Sequence, residues 1–279
     1  MRPPRADIAA PPFPPDTDWI GEPPQFERAL ATGPALVHFF DFAQLNSVRA
    51  LPYLVAWRER YQEAGLTVLG VHSPRFPFTR SPSAVAEALP RLGIGWPVAV
   101  DPGMRIWRGY EPHGWPALFL WGRGGALRWY HFGEGEYLAT EEAIQEALPN
   151  APNGHEWPPP LEPLRPSDAP GATVVAPTPE LFPGGGPERP WRPEGQAEPL
   201  ELDYEAGGAY AAVDGRGEIT DRLDGAALDP IAVSHPGLYE LIADGETGIL
   251  VAERDCVALA DAVERLIGDR DVARRLGAA

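Results

Sequence analysis

Proline placement limits what this chain can fold into more than any other feature of it. Of 35 prolines, eight fall in residues 1–24 and fifteen in residues 149–199. Proline fixes φ and has no N–H to give to a helix or a central strand. The first stretch therefore reads as a proline-rich N-terminal arm, and the second as an extended linker. Between them, residues 25–148 alternate apolar runs with amphipathic ones, the pattern of a folded domain. A β-rich region at 200–230 and a C-terminal segment at 231–279 complete the expected organisation.

A chain of 279 residues, 44% of them hydrophobic, has room for one or two cored domains. Its charge narrows the choice of partner. The net charge is −17, and all 23 bases are arginine. An acidic chain without a basic run is a poor match for nucleic acid or an anionic membrane surface. Residues 201–279 hold 17 acids and 7 arginines, which reads as a solvated surface. A lone cysteine, Cys256, excludes an intrachain disulfide, a cysteine-zinc site and a dithiol pair within the chain. No run approaches the roughly 18 apolar residues of a membrane span, and the N-terminus lacks the apolar core of a secretory signal. The expectation is a soluble, cytoplasmic protein.

Inside the central domain, residues 35–42 form an apolar, aromatic-rich strand, and residues 48–64 carry Leu51, Leu54, Val55 and Tyr61 near helical spacing. Residues 66–73 are a β-branched strand, 83–92 a helix behind Ser81-Pro82, and 97–101 a third short strand. A short inserted strand and helix near 104–109, two antiparallel strands at 117–121 and 127–132, and a last helix at 140–148 follow. This order predicts an α/β sandwich with a mixed sheet.

Four strings narrow the match: Leu51-Pro52-Tyr53-Leu54 with Ala56-Trp57; Gly70-Val71-His72-Ser73-Pro74; Trp115-Pro116-Ala117; and His131-Phe132-Gly133-Glu134-Gly135. In this order, and with Thr17-Asp18-Trp19-Ile20 before them, residues 17–148 resemble the thioredoxin-like region of the DipZ family, relatives of TlpA-type thiol-disulfide oxidoreductases. The resemblance implies a thioredoxin fold with a Cys-x-x-Cys pair between the first strand and the following helix. In such a site the helix N-terminus lowers the pKa of the attacking thiol. The two cysteine positions fall on Gln44 and Ser47, so the expectation is a redox-inactive thioredoxin-fold protein that acts as a binding or scaffold module. Ser47 has no G-x-S-x-G elbow or fixed histidine partner and reads as a first-turn helix residue. The six histidines show no metal-ligand spacing, so neither a metal nor a cofactor is expected. Trp115-Pro116 falls where thioredoxin-like proteins carry a cis-proline facing the dithiol. That position, with Asn46, implies a groove for an extended peptide or protein segment.

The second half carries two further resemblances. Thr178-Pro179-Glu180, Trp191 and Leu223-Asp224-Gly225 resemble the β-rich domain that follows the thioredoxin-like one in DipZ proteins. The run from His235-Pro236-Gly237-Leu238 through Asp244-Gly245-Glu246-Thr247-Gly248, with Arg265-Leu266 and Arg274-Arg275, resembles the end of the nucleotide-sugar domain of retaining GT-B glycosyltransferases. That similarity implies a nucleotide-sugar-dependent transferase as the alternative function. The Glu-x7-Glu pair of that family is missing, since Glu218 has Ala226 eight positions later. A junction of unrelated segments is expected at about Pro230, with a C-terminal helix at 256–266 capped by Asp255.

Overall fold

The computed structural model describes residues 1–2, 7–149, 151, 156–172, 178–192, 199–204 and 206–243. The chain divides into two compact units, residues 1–172 and 173–279.

The first unit is built on a six-stranded mixed sheet. Its strands are β1 (Asp18–Ile20), β2 (Ala35–Phe40), β3 (Thr67–His72), β4 (Val98–Val100), β5 (Ala117–Trp121) and β6 (Leu127–Phe132), in the order β1-β4-β3-β2-β5-β6. β2 runs parallel to β3 and β3 parallel to β4, whereas β1, β5 and β6 join antiparallel. The helices are α1 (Phe26–Thr32), α2 (Leu45–Tyr61), α3 (Pro82–Arg91), α4 (Arg105–Tyr110) and α5 (Tyr137–Ala147). All six residues of β2 are buried, because helices cover both faces of the sheet. Strand alternation then divides its side chains. Leu36 and Phe40 join the core under α2, α3 and α5, while Val37 and Phe39 join the core under α1 and α4. Trp57, Tyr53 and Leu54 of α2 and Ile144 of α5 are almost wholly buried on the first face. A buried aromatic of this kind costs about 3–5 kcal/mol when cut to alanine. These two cores hold the strand ends that frame the site.

The expected α/β sandwich is therefore present, with three corrections to its edges. First, the N-terminal stretch is part of the domain. β1 pairs with β4, Leu127 donates its N–H to Ile8, and the Phe13 ring packs against Trp19 and Phe26. Its prolines are interleaved with apolar side chains that gain by burial, and a sheet edge tolerates the missing donors. α1 is an addition to the elements expected from the sequence; its Phe26 and Leu30 stand one turn apart and are both buried. Second, the 149–199 stretch is not all linker. Residues 156–168 lie back on the domain, where Trp157 and Leu161 pack against its core. Third, α2 starts at Leu45 and α5 at Tyr137, each three residues earlier than expected.

Among the described residues of the second unit, six short strands form three antiparallel pairs. β7 (Gly208–Val213), β8 (Gly217–Ile219) and β9 (Arg222–Leu223) pair antiparallel with β12 (Gly237–Ala243), β11 (Ile231–Val233) and β10 (Ala226–Ala227). Leu223 faces Ala226, Ile219 faces Ile231, and Ala212 faces Leu238, so both arms step outward together from a single turn. That turn is Asp224-Gly225, with φ of 50° and 85°. Two left-handed residues are what a two-residue hairpin of this twist needs. The junction expected near Pro230 thus falls within one arm of a hairpin, and the β-rich region runs on to Ala243. The expected helix 256–266, its cap Asp255, Cys256 and the glycine-rich turn at 245–248 lie outside the described residues.

Candidate functional site

The parallel strands β2, β3 and β4 end on one side of the sheet, and the loops that leave them meet there. In open α/β sheets ligands bind at such strand ends. Two buried aspartates hold the loops in place. Asp41, just past β2, accepts the N–H of Ala43 at 2.7 Å, the N–H of Arg75 at 2.6 Å and the Thr79 hydroxyl at 2.5 Å. Asp101, just past β4, accepts the N–H groups of Arg105, Ile106 and Trp107 and the Ser73 hydroxyl. Ser73 completes the link, since its N–H reaches Phe40 O and its carbonyl takes the Trp115 indole N–H at 2.8 Å. Neither aspartate stood out in the sequence. The available signal was an acid directly after an apolar strand run, in Phe39-Phe40-Asp41 and Val98-Ala99-Val100-Asp101.

Gln44 and Ser47 stand together at the start of α2. Gln44 is the N-cap residue, extended at φ −98° and ψ 122°, and its side-chain carbonyl accepts the Ser47 N–H at 2.7 Å. It satisfies a donor that the first helical turn leaves without an intrahelical partner. Ser47 is fully buried, with its hydroxyl oxygen 3.3 Å from the Asp41 N–H as acceptor. Both positions are thus spent on capping and packing. Asn46 and Leu45 remain half-exposed between them.

Trp115 and Pro116 lie just before β5, and the bond between them is cis. Pro116 is buried and its carbonyl accepts the Gly133 N–H at 2.7 Å. Trp115 is half-buried, stacked on Trp107 with centroids 4.1 Å apart, and the Arg75 guanidinium lies 5.6 Å from its ring. Two of the histidines, His38 and His72, are core residues. His38 and His72 are fully buried, with the Phe40 ring 5.1 Å from one and 5.4 Å from the other. Burial pushes His38 down to about 3 and lowers His72 as well. Among the described residues, no group of three or more histidine, cysteine, aspartate or glutamate side chains is placed to hold a metal ion.

No protein-family model matches the chain. Over 197 residues it is 32% identical to the protein DipZ of Mycobacterium bovis, an alignment covering 70% of this chain and 26% of that protein. It is 25% identical over 130 residues to the thiol-disulfide oxidoreductase YkuV of Bacillus subtilis, covering 47% of this chain and 87% of the relative. The first unit is a thioredoxin-like domain with thiol-disulfide oxidoreductase homologues. Among solved structures, a thiol-disulfide isomerase from Corynebacterium glutamicum matches with a TM-score of 0.46 at 23% identity, over 52% of this chain and 99% of that one. The chain spans about a quarter of the length of the DipZ proteins it matches. The DipZ alignment is longer than the 172 residues of the first unit, so the similarity runs past the thioredoxin-like domain into the second unit. Among the described residues, no helix of the thioredoxin-like domain or beyond it is long and apolar enough to cross a membrane.

Proposed function

We propose that the thioredoxin-like domain is a binding module that takes an extended peptide or protein segment at the rim of Asn46, Trp115 and Pro116, without dithiol exchange of its own. The observation that carries this reading is the Gln44 side chain bonded to the Ser47 N–H. The helix end that would stabilise a thiolate is satisfied by an amide, and Cys256 has no second cysteine in the chain to pair with. The rim still offers what peptide recognition uses. Trp107 and Trp115 present a stacked aromatic surface, and Asn46 has both a donor and an acceptor on a half-exposed amide.

A reduced, carboxymethylated protein with no persistent structure serves as the probe, read by fluorescence anisotropy. Saturable binding is expected, weakened at least tenfold by Trp115→Ala, a loss of about 1.4 kcal/mol. Because the Trp115 indole also holds Ser73, Asn46→Ala is the second variant and is expected to weaken binding about threefold without shifting the thermal midpoint. Absence of binding at millimolar probe, or unchanged affinity in both variants, removes the reading.

A further inference from the structure

Residues 157–168 contain a run of three prolines and lie outside any strand, with one short 3₁₀ turn at Pro166–Asp168. They nevertheless lie on the domain, against α2 and α5. Three consecutive prolines hold the chain extended, with no N–H groups and with carbonyls that bond nothing within the segment. Side chains of the domain take those carbonyls. Gln145 Nε2 donates to Pro158 O at 2.9 Å, and Arg60 Nη2 donates to Pro159 O at 2.6 Å. The first N–H after the prolines, that of Leu161, reaches Glu141 Oε2 at 2.8 Å. On either side of the prolines an apolar anchor is seated: the Trp157 ring meets Tyr61 edge to face at 5.6 Å, and Leu161 packs on the core.

The floor beneath is prepared for this. Glu141, 1% exposed, also takes the Trp57 indole N–H, the Arg60 guanidinium and the Tyr61 hydroxyl, so every surrounding donor is directed. Aromatic side chains flanked by donors aimed at backbone carbonyls are the chemistry by which proline-rich chains are recognised. At the far end, the Leu164 N–H donates to the Tyr53 hydroxyl, which donates to Asp168, and Arg165 bonds the Arg49 carbonyl and Glu134.

We propose that the α2–α5 face is a recognition groove for a proline-rich extended chain, and that residues 157–168 fill it as an intramolecular ligand. The contacts are side chain to backbone for the prolines, so the groove reads an extended prolyl backbone between two apolar anchors. A partner segment of the same chemistry, tryptophan then prolines then leucine, takes the groove when the internal segment leaves it. This surface lies on the flank of α2 and does not rest on the peptide rim at Trp115.

The test uses the full chain with residues 157–165 replaced by a glycine-serine stretch of equal length. The probe is a fluorescein-labelled synthetic peptide with the sequence of residues 156–169. The expected result is saturable binding to the replaced chain, at least tenfold weaker binding to the wild type, and a tenfold loss when the replaced chain also carries Arg60→Ala and Gln145→Ala. A peptide with alanine at 158–160 is expected to bind at least tenfold more weakly. If the replaced chain lacks native circular dichroism, the peptide is expected to restore it. A peptide that neither binds nor restores structure overturns the proposal, as does equal binding to wild type and replaced chain or equal binding of the alanine peptide.

Discussion

His38 lies in the middle of the central strand with neither ring nitrogen hydrogen-bonded, and the apolar layer around it keeps the imidazole neutral. Such a group costs about 1–3 kcal/mol where a hydrocarbon costs nothing. It also makes folding sensitive to acid. In the unfolded chain the ring takes a proton near pH 6.5, whereas in the fold burial holds its pKa at about 3. Unfolding therefore binds a proton between these limits. The stability is fully present above pH 6.5 and falls as pH drops towards 3, by at most about 1.4 kcal/mol per unit. His72 is shifted in the same direction and adds to the slope. His38→Leu is expected to raise the urea midpoint at pH 7 and to flatten its decline between pH 6.5 and 4, both read by equilibrium unfolding. The histidine is visible in the sequence, but its environment is not, since one polar residue within an apolar strand run does not say whether it meets a hydrogen-bond partner. Gln44 is a similar case. The capping role of its amide could not be foreseen, because glutamine is not among the residues that commonly cap. Gln44→Ala leaves the Ser47 N–H without its acceptor and is expected to lower stability by about 1 kcal/mol, measured by denaturant unfolding.

At the scale of elements, the strands and helices of the thioredoxin-like domain follow the hydrophobic pattern closely, and the departures have local causes. β1 is not legible in the sequence because three residues give too little periodicity, and its partner β4 lies some eighty residues away. α1 ends at Gly33, where the backbone is extended and passes very close to Gly65. A Cβ at Gly33 would stand 2.3 Å from the Gly65 carbonyl oxygen, a backbone atom just before β3. Gly33→Ala is expected to displace the end of α1 from the start of β3, at a cost of about 1–3 kcal/mol. The thermal midpoint of the purified variant checks this, with Gly103→Ala, which meets nothing within 4 Å, as the control. The hairpin of the second unit shows the reverse situation. Its turn is legible as Asp224-Gly225, while its arms are not, because the resemblances change at Pro230, in the middle of one arm, and strand pairing leaves no mark there in the sequence.

For the whole molecule, the proline excess misled in one respect and informed in another. It marked two flanks, yet both flanks are partly integrated, because Phe13, Trp19, Trp157 and Leu161 have apolar surface to bury and proline does not prevent it. A chain ending at residue 172 is therefore expected to be more stable than one ending at 149. The longer chain keeps Leu161 on the core and the Leu161 N–H on Glu141, together worth about 2–4 kcal/mol. Urea unfolding of the two chains measures the difference. In the sequence the candidate site is legible as a location, the turn from the strand at 35–42 into the helix after it, and the family resemblance puts glutamine and serine at its two cysteine positions. The loop skeleton of Asp41 and Asp101 was not, because a buried acid is recognisable only by the N–H groups around it. In the proposed reading Gln44 and Ser47 stand at the two positions of dithiol chemistry and serve as a helix cap and its packing. Insulin disulfide reduction tests it most directly, comparing wild type, Cys256→Ser and the double variant Gln44→Cys with Ser47→Cys. The first two are expected to match the reagent blank and the third to turn over; turnover by the wild type that persists in Cys256→Ser contradicts the proposed reading.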